Sequence, residues 1–266
     1  MTIMFTRVLK SFLVLAFVSS AIACSGAPDQ TDERTGEILQ AQTPADPVAF
    51  CQQSGLNVII GTSNDDVLTG TVGDDCIVGL GGQDRLEGLG GADVLFAGHG
   101  DDVVIGGDGN DAMFGGSGQD DLSGGTGNDF VEGEDGNDRM IGEDGDDLLF
   151  GGSGQDVMFA GPGNDLIEGG DGNDELDGFG GNDNMRGGPG NDVLRGGFGN
   201  EVVIDGQEGD DLLCGDAGSD LIEGGLDTDR AFGGSGNDTV NGGFGDDQVF
   251  GEDDDDFVIG GQGNDI

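Results

Sequence analysis

No tryptophan and no tyrosine occur among the 266 residues, proline appears only five times, and just eight residues are Lys or Arg. Each shortage excludes something. With Phe the only aromatic, the chain lacks the bulk that fills a thick globular core. So few prolines, with no three-residue glycine period, rule out a collagen-type helix. The few basic residues face 55 Asp plus Glu, for a formal net charge of −47. Such a surface repels nucleic-acid phosphates, anionic lipid head groups and acidic polysaccharides, whose binders carry basic patches. The longest early apolar run, residues 12–18, is too short to span a bilayer. Present in excess are glycine, at 60 residues, and acid. A chain of this sign attracts cations.

Residues 1–23 read as an export signal. Arg7 and Lys10 precede the apolar run, no acid interrupts it, and Ala21-Ile22-Ala23 places small residues at cleavage spacing before Cys24. Ala-x-Ala suits ordinary signal peptidase. Small residues followed by Cys resemble the lipobox of bacterial lipoproteins, in which Cys24 would become the acylated N terminus. The lipoprotein reading is preferred, and Ala21, where that motif most often has Leu, keeps plain secretion open. Either way the expected location is the bacterial cell surface or outside it, with membrane contact only through the lipid. Residues 24–50 contain Pro28, Pro44 and Pro47 and show no period of 2 or 3.6, so they read as a disordered linker. Residues 51–60 read as an N-terminal cap ending in a preliminary strand, Val58-Ile59-Ile60.

From Gly61 onward a nine-residue repeat fills the chain. Units begin at Gly61, Gly70, Gly79, Gly88, Ala97 and Gly106 and keep register to Gly196; after one extra residue, read as Asp205, they resume at Gly206 and run to Gly260. The repeats therefore divide into blocks 61–204 and 206–266. The sixth place is acidic throughout: Asp66, Asp75, Asp84, Asp93, Asp102, Asp111, Asp120, Asp129, Asp138, Asp147, Asp156, Asp165, Asp174, Asp183, Asp192, then Glu201, the one non-Asp, then Asp211, Asp220, Asp229, Asp238, Asp247, Asp256 and Asp265. The fourth place is Gly except at Asn64, Asp227 and Asp254.

These residue types suit a turn followed by a short strand. Glycines at the first, second and fourth places are expected to adopt positive φ and to let backbone carbonyls approach an ion. Asn or Asp at the fifth place is expected to tolerate the left-handed region. Places seven to nine then make a minimal strand. Its alternation sends the eighth residue (Leu86, Leu95, Val104, Met113) to the core and the seventh and ninth outward. One anchor per nine residues cannot offset ordering entropy against such charge, so the chain without cations is expected to be largely disordered.

The unit Gly106-Gly107-Asp108-Gly109-Asn110-Asp111-Ala112-Met113-Phe114 resembles the G-G-x-G-x-D-x-U-x nonapeptide of the RTX (repeat-in-toxin, hemolysin-type) calcium-binding family. The resemblance implies an all-β fold, a right-handed parallel β-roll with two nonapeptides per turn and Ca²⁺ between turns one coil apart. It pairs loops eighteen residues apart, such as those of Asp84 and Asp102, or Asp93 and Asp111. It also makes the sixth-place aspartates, with glycine carbonyls, the ligands of roughly 15 to 20 ions, the all-oxygen set that calcium prefers. Toxins, lipases and metalloproteases of the family carry other domains beside such repeats. The reading is a non-catalytic binding or structural module, with a fragment of a larger RTX enzyme or toxin, or a surface adhesin, as rivals.

The remaining features carry weaker expectations. His99 holds a variable third place and reads as a turn residue, and acidic pairs such as Asp74-Asp75 read as turn ligands rather than glycosidase carboxylates. A Cys51–Cys76 disulfide is expected to close the N-terminal end, two free thiols being the alternative, with Cys214 alone. Cys76, Val94, Ala112, Phe130 and Leu148 at seventh places, with Val78, Phe96, Phe114 and Phe150 at ninth places, form an apolar ladder on one outer face. It reads either as an exposed surface for a protein partner or self-association, or as simple tolerance of apolar residues in strands. The register break beside Glu201 is expected to be the least stable place.

Overall fold

The computed structural model describes residues 44–266; Cys24, the expected signal and residues 24–43 of the expected linker lie outside the described residues. The chain divides after Leu56 into two units. In the first, helix α1 (Pro47–Ser54) has a full set of local signals. Asp46 caps it by accepting the Ala49 N–H at 2.9 Å. Pro47 takes a first-turn position, where a missing N–H costs nothing, and Gly55 ends the helix at φ 75°. This corrects the reading of residues 47–50 as disordered and of 51–60 as one cap. Two helical turns are too few for a period to register, so the signal lay in the caps alone. No helix among the described residues is long and apolar enough to cross a membrane.

The second unit is one parallel β-solenoid. Odd-numbered strands, from β1 (Asn57–Ile60) to β23 (Phe257–Gln262), form a 12-stranded sheet; even-numbered strands, from β2 (Val67–Thr69) to β22 (Gln248–Asp253), form an 11-stranded sheet. Each strand pairs in parallel with the strand two further along, as Val94↔Ala112 and Arg85↔Val103 show. Two nonapeptides thus complete one coil, and every residue lies beside the one eighteen positions away. The strands are longer than the three residues expected. Val103–Asp108 is typical, running from a seventh place through the third place of the next unit.

The core is a single file of eighth-place side chains. Ile77, Leu86, Leu95, Val104, Met113 and their successors to Val240 are fully buried in one cluster, joined by Ala97 and Ala160 at first places. A coil this thin admits one inward side chain per strand, which is why bulky aromatics are absent from the interior.

Three sequence expectations change here. The extra residue is Val202, not Asp205. Asn184, Met185 and Arg186 lie beside Val203, Ile204 and Asp205, so Ile204 takes the buried eighth place and Val202 is extruded as a bulge, 59% exposed. The count along the chain could not separate these positions, because apolar residues occupy 202, 203 and 204 alike. The bulge does not divide the array, since β15 (Asn184–Pro189), β17 (Val203–Glu208) and β19 (Leu221–Leu226) are consecutive neighbours in one sheet. Blocks 61–204 and 206–266 are therefore one continuous unit. The apolar ladder does lie on the outer face of the odd-numbered sheet, but it is closed to solvent. Phe96, Phe114, Phe130 and Phe150 are 9% exposed or less, their rings in a row at centroid spacings of 4.9, 5.5 and 5.5 Å. Leu148 alone of the ladder is exposed.

Close stacking of turns rests on glycine. Gly109 sits at φ +132° and a Cβ added there would lie 1.6 Å from the Gly91 carbonyl oxygen, so only glycine fits. The third-place Gly90 has ordinary φ, and an added Cβ would meet nothing nearer than the Asp108 carbonyl at 3.5 Å. We therefore expect Gly109→Ala to lower stability by at least about 2 kcal/mol in saturating calcium and Gly90→Ala to change it by under about 0.5 kcal/mol. Denaturant midpoints of the two variants check this.

Candidate functional site

Each turn closes with the sixth-place Asp folded back under the coil. Its carboxylate is shared between two jobs. Oδ1 accepts the backbone N–H of the sixth-place residue one coil earlier: Asp84 N–H to Asp102 at 2.7 Å, Asp111 to Asp129 at 2.8 Å, Asp147 to Asp165 at 2.8 Å. Oδ2 has no job within the protein. For every sixth-place Asp between 84 and 247 it is buried with no hydrogen-bond partner. The first-place glycine of the same unit and a carbonyl of the next coil crowd the same space. A Cβ built on Gly106 would meet Asp111 Oδ2 at 2.4 Å and the Gly124 oxygen at 2.7 Å. This corrects the role given to first-place glycines, whose φ values are not positive; they are needed for room, not for backbone freedom.

The fifth place also acts differently from expectation. None of its residues has positive φ. Instead its side-chain oxygen accepts the fifth-place N–H one coil later, as Asn110 does from Asn128 at 3.1 Å and Asn137 from Gln155 at 2.8 Å. Two side-chain ladders therefore run along each edge, one pointing up the coil axis and one down. The positive φ falls at the second place even where glycine is absent, as at Leu80, Glu134 and Gln207.

The structure does not treat all predicted ligands alike. Asp66 and Asp75 have threonine at the second place of their units. Thr62 and Thr71 each donate N–H and hydroxyl to the Oδ2 atom, at 2.6 and 2.8 Å for Asp66 and 2.5 and 3.0 Å for Asp75. These two carboxylates are satisfied by protein. Asp256 and Asp265, on the last coil, are only half-buried. The unmatched oxygens thus belong to the coils between. Threonine in place of the second glycine was the readable sign of this, and it was missed.

Burial dominates the electrostatics. Desolvation raises the carboxyls of Asp93, Asp111, Asp120 and Asp129 to about 7, and those of Asp138 and Asp147 to about 6; the backbone N–H each accepts pulls the other way, and neighbouring carboxylates push further up. No three His, Cys, Asp or Glu side chains converge among the described residues. A cation here must therefore combine two or fewer carboxylates with backbone carbonyls, the mixed hard-oxygen set that suits Ca²⁺. Orphaned carboxylate oxygens beside carbonyls fit that ion well.

Other predicted features lie away from these turns. His99 is exposed, with Nδ1 2.7 Å from the Ser117 hydroxyl on the next coil's third place. Cys51 and Cys76 are each disulfide-bonded, and Cys214 is a free thiol. Sequence reasoning overlooked Glu132. It stands at a ninth place between Phe114 and Phe150, 7% exposed with Oε2 unpartnered, and burial lifts its carboxyl to about 8.

A solenoid of stacked glycine turns, each burying one carboxylate oxygen beside backbone carbonyls, defines a cation-stabilised repeat protein. The chain matches the RTX calcium-binding nonapeptide repeat family in overlapping segments that cover residues 53–266. It belongs to that family, and membership implies calcium binding by the β-roll. No curated protein matches the chain.

The raised carboxyls fix a pH dependence for the calcium-free roll. A folded-state value of about 6 to 7 stands above the unfolded 3.8. The protonated groups therefore support the fold fully below about pH 4, and that support is lost as pH rises through 6 to 7. In chelator, circular dichroism is expected to show more β structure at pH 4.5 than at pH 8. Calcium added near pH 6.5 is expected to release protons, which a weakly buffered titration reads directly. Equal disorder at both pH values would contradict the burial argument.

Proposed function

We propose that this chain is an exported, non-catalytic calcium-binding module that folds on meeting calcium outside the cell. The observation that carries the reading is the recurrence of a buried, unpartnered Oδ2 atom at every sixth-place Asp from 84 to 247. A buried carboxylate oxygen without a partner is costly, and one in nearly every nonapeptide cannot be sustained by a single file of core side chains. Ca²⁺ would supply two positive charges per site and bridge carboxylates to carbonyls of neighbouring coils. The sixth-place aspartates between 84 and 247 would hold the ions, while Asp66, Asp75, Asp256 and Asp265, for the reasons above, would hold them weakly or not at all. This trims the stoichiometry toward the low end of roughly 15 to 20 ions.

Export rests on the N-terminal signal and on affinity. Extracellular calcium modules bind at about 10⁻⁴ to 10⁻³ M, well above cytosolic free calcium, so such a chain would pass the inner membrane unfolded and fold beyond it. Cys24 would carry the lipid that holds it at the cell surface. Cys51 and Cys76 would be joined to each other, leaving Cys24 for acylation. The reading as a binding or structural module is favoured over a catalytic one because most titratable groups with displaced values are the sixth-place carboxylates that close the turns.

Two measurements test this. A calcium titration of the mature chain, followed by circular dichroism with ion counting alongside, is expected to show cooperative gain of β signal between roughly 0.1 and several mM, reversed by chelator and poorly reproduced by Mg²⁺. A chain already folded in chelator at pH 7.5 would overturn the reading. Peptide mapping without reduction is expected to recover Cys51 linked to Cys76 and an acylated Cys24; a Cys24–Cys51 link would remove both the pairing and the anchor.

A further inference from the structure

The ladder of amide-to-carboxylate bonds along the sixth places has one missing rung among the described residues. From Asp66 N–H to Asp84, at 2.8 Å, it runs coil by coil to Asp174 N–H on Asp192, at 2.8 Å. It resumes with Asp192 N–H to Asp211 at 2.8 Å and Glu201 N–H to Asp220 at 3.0 Å, and continues to Asp247 N–H on Asp265 at 3.1 Å. The absent rung is the one Glu201 should accept from Asp183. Glu201 is 3% exposed, and neither of its carboxylate oxygens accepts an N–H or O–H, where each intact turn leaves only one unmatched; its carboxyl instead meets the like-charged carboxyl of Asp220.

The extra methylene explains the loss. At the flanking turns a Cβ added to the first-place glycine would meet a carboxylate oxygen and a carbonyl of the next coil: Asp183 Oδ2 at 2.4 Å and the Gly196 oxygen at 2.9 Å for Gly178, Asp211 Oδ2 at 2.3 Å and the Gly224 oxygen at 2.5 Å for Gly206. A Cβ added to Gly196 would instead meet three atoms of Glu201, its Cδ, Cγ and Oε2, at 2.8 to 2.9 Å. Carbon stands where oxygen should converge. Directly after it comes the Val202 bulge, which offsets the next coils by nineteen residues instead of eighteen.

We propose that the Glu201 turn is a distinct, low-affinity calcium site, the last to fill and the first to empty. This inference rests on the calcium reading above and gives it a point of control. Below saturation the roll parts at this turn into two still-folded segments. The lesion is local because the core passes through it unbroken: Leu194, Ile204 and Leu213 are all fully buried. The turn therefore opens without unfolding its neighbours, and calcium concentration sets whether the roll is one rigid body or two.

Hydrogen exchange read by mass spectrometry, on the full mature chain across a calcium titration, tests this. Amides of residues 196–205 are expected to gain protection at a calcium concentration several-fold above that of residues 160–175 and 225–240. Restoring the nonapeptide, by Glu201→Asp together with deletion of Val202, should bring the local midpoint down to that of the flanks. Glu201→Asp alone, which leaves the bulge, should bring it part of the way and serves if the deletion does not fold. Conversely, Asp165→Glu in an uninterrupted coil should create a second late-filling segment. A single midpoint along the whole wild-type roll, or an Asp165→Glu variant indistinguishable from wild type, overturns the inference while leaving calcium folding intact. Protection independent of calcium everywhere overturns both.

Discussion

A carboxylate oxygen held away from water with nothing to bond it is the constraint on which this structure depends. The turn geometry places one such oxygen in each nonapeptide that has Asp at its sixth place from Asp84 to Asp247, with the first-place glycine packed so close that an added Cβ would crowd it, as at Gly106. Burial of this kind is tolerated only when the charge is neutralised, by a proton or by a cation. Everything distinctive about the sequence serves that arrangement. The first-place glycines make room for the oxygen, the fourth-place glycines let coils stack at van der Waals distance, and the Asp carboxylate gives one oxygen to the backbone and leaves the other unmatched.

The weakness of the core completes the logic. The interior file holds one side chain per nonapeptide and no aromatic among the described residues, with further apolar burial in the roll confined to Ala97, Ala160 and the outer row from Cys76 to Phe150. On the proposed reading, hydrophobic burial alone leaves the fold near balance, and the free energy of ion binding would become free energy of folding. A protein built this way would respond to its ionic surroundings as a whole. The first two repeats are the exception that clarifies the rule. With Thr62 and Thr71 bonding Asp66 and Asp75, the opening turns are satisfied without an ion and offer a start on which later coils can stack.

Outer-face chemistry varies where the turns do not. Exposed cross-coil pairs such as Arg139 with Asp121 at 3.0 Å and Arg195 with Glu175 at 2.7 Å add little to stability. The aromatic row from Phe96 to Phe150, buried and interrupted by Glu132, contrasts with exposed outer-face aromatics such as Phe179, Phe198 and Phe250. Its burial shows that an apolar ladder read from strand alternation says which way side chains point, not whether water reaches them.

The sequence by itself determined the repeat, the coil length, the inward eighth place and the acidic sixth place, because these follow from local periodicity and recur often enough for each to confirm the next. It determined the cation chemistry as well, since a net charge of −47 on a glycine-rich chain leaves few alternatives. Only the tertiary structure decided which neighbours each group meets one coil away. That contact separated Asp66 and Asp75 from the carboxylates left unmatched. It moved the extra residue from Asp205 to Val202, because Ile204, not Val203, reaches the core. It also showed Glu201 failing to accept the amide of Asp183. Each of these outcomes turns on an ångström or two across a stacked pair of turns, and a distance between residues eighteen or nineteen positions apart is not written in either unit alone.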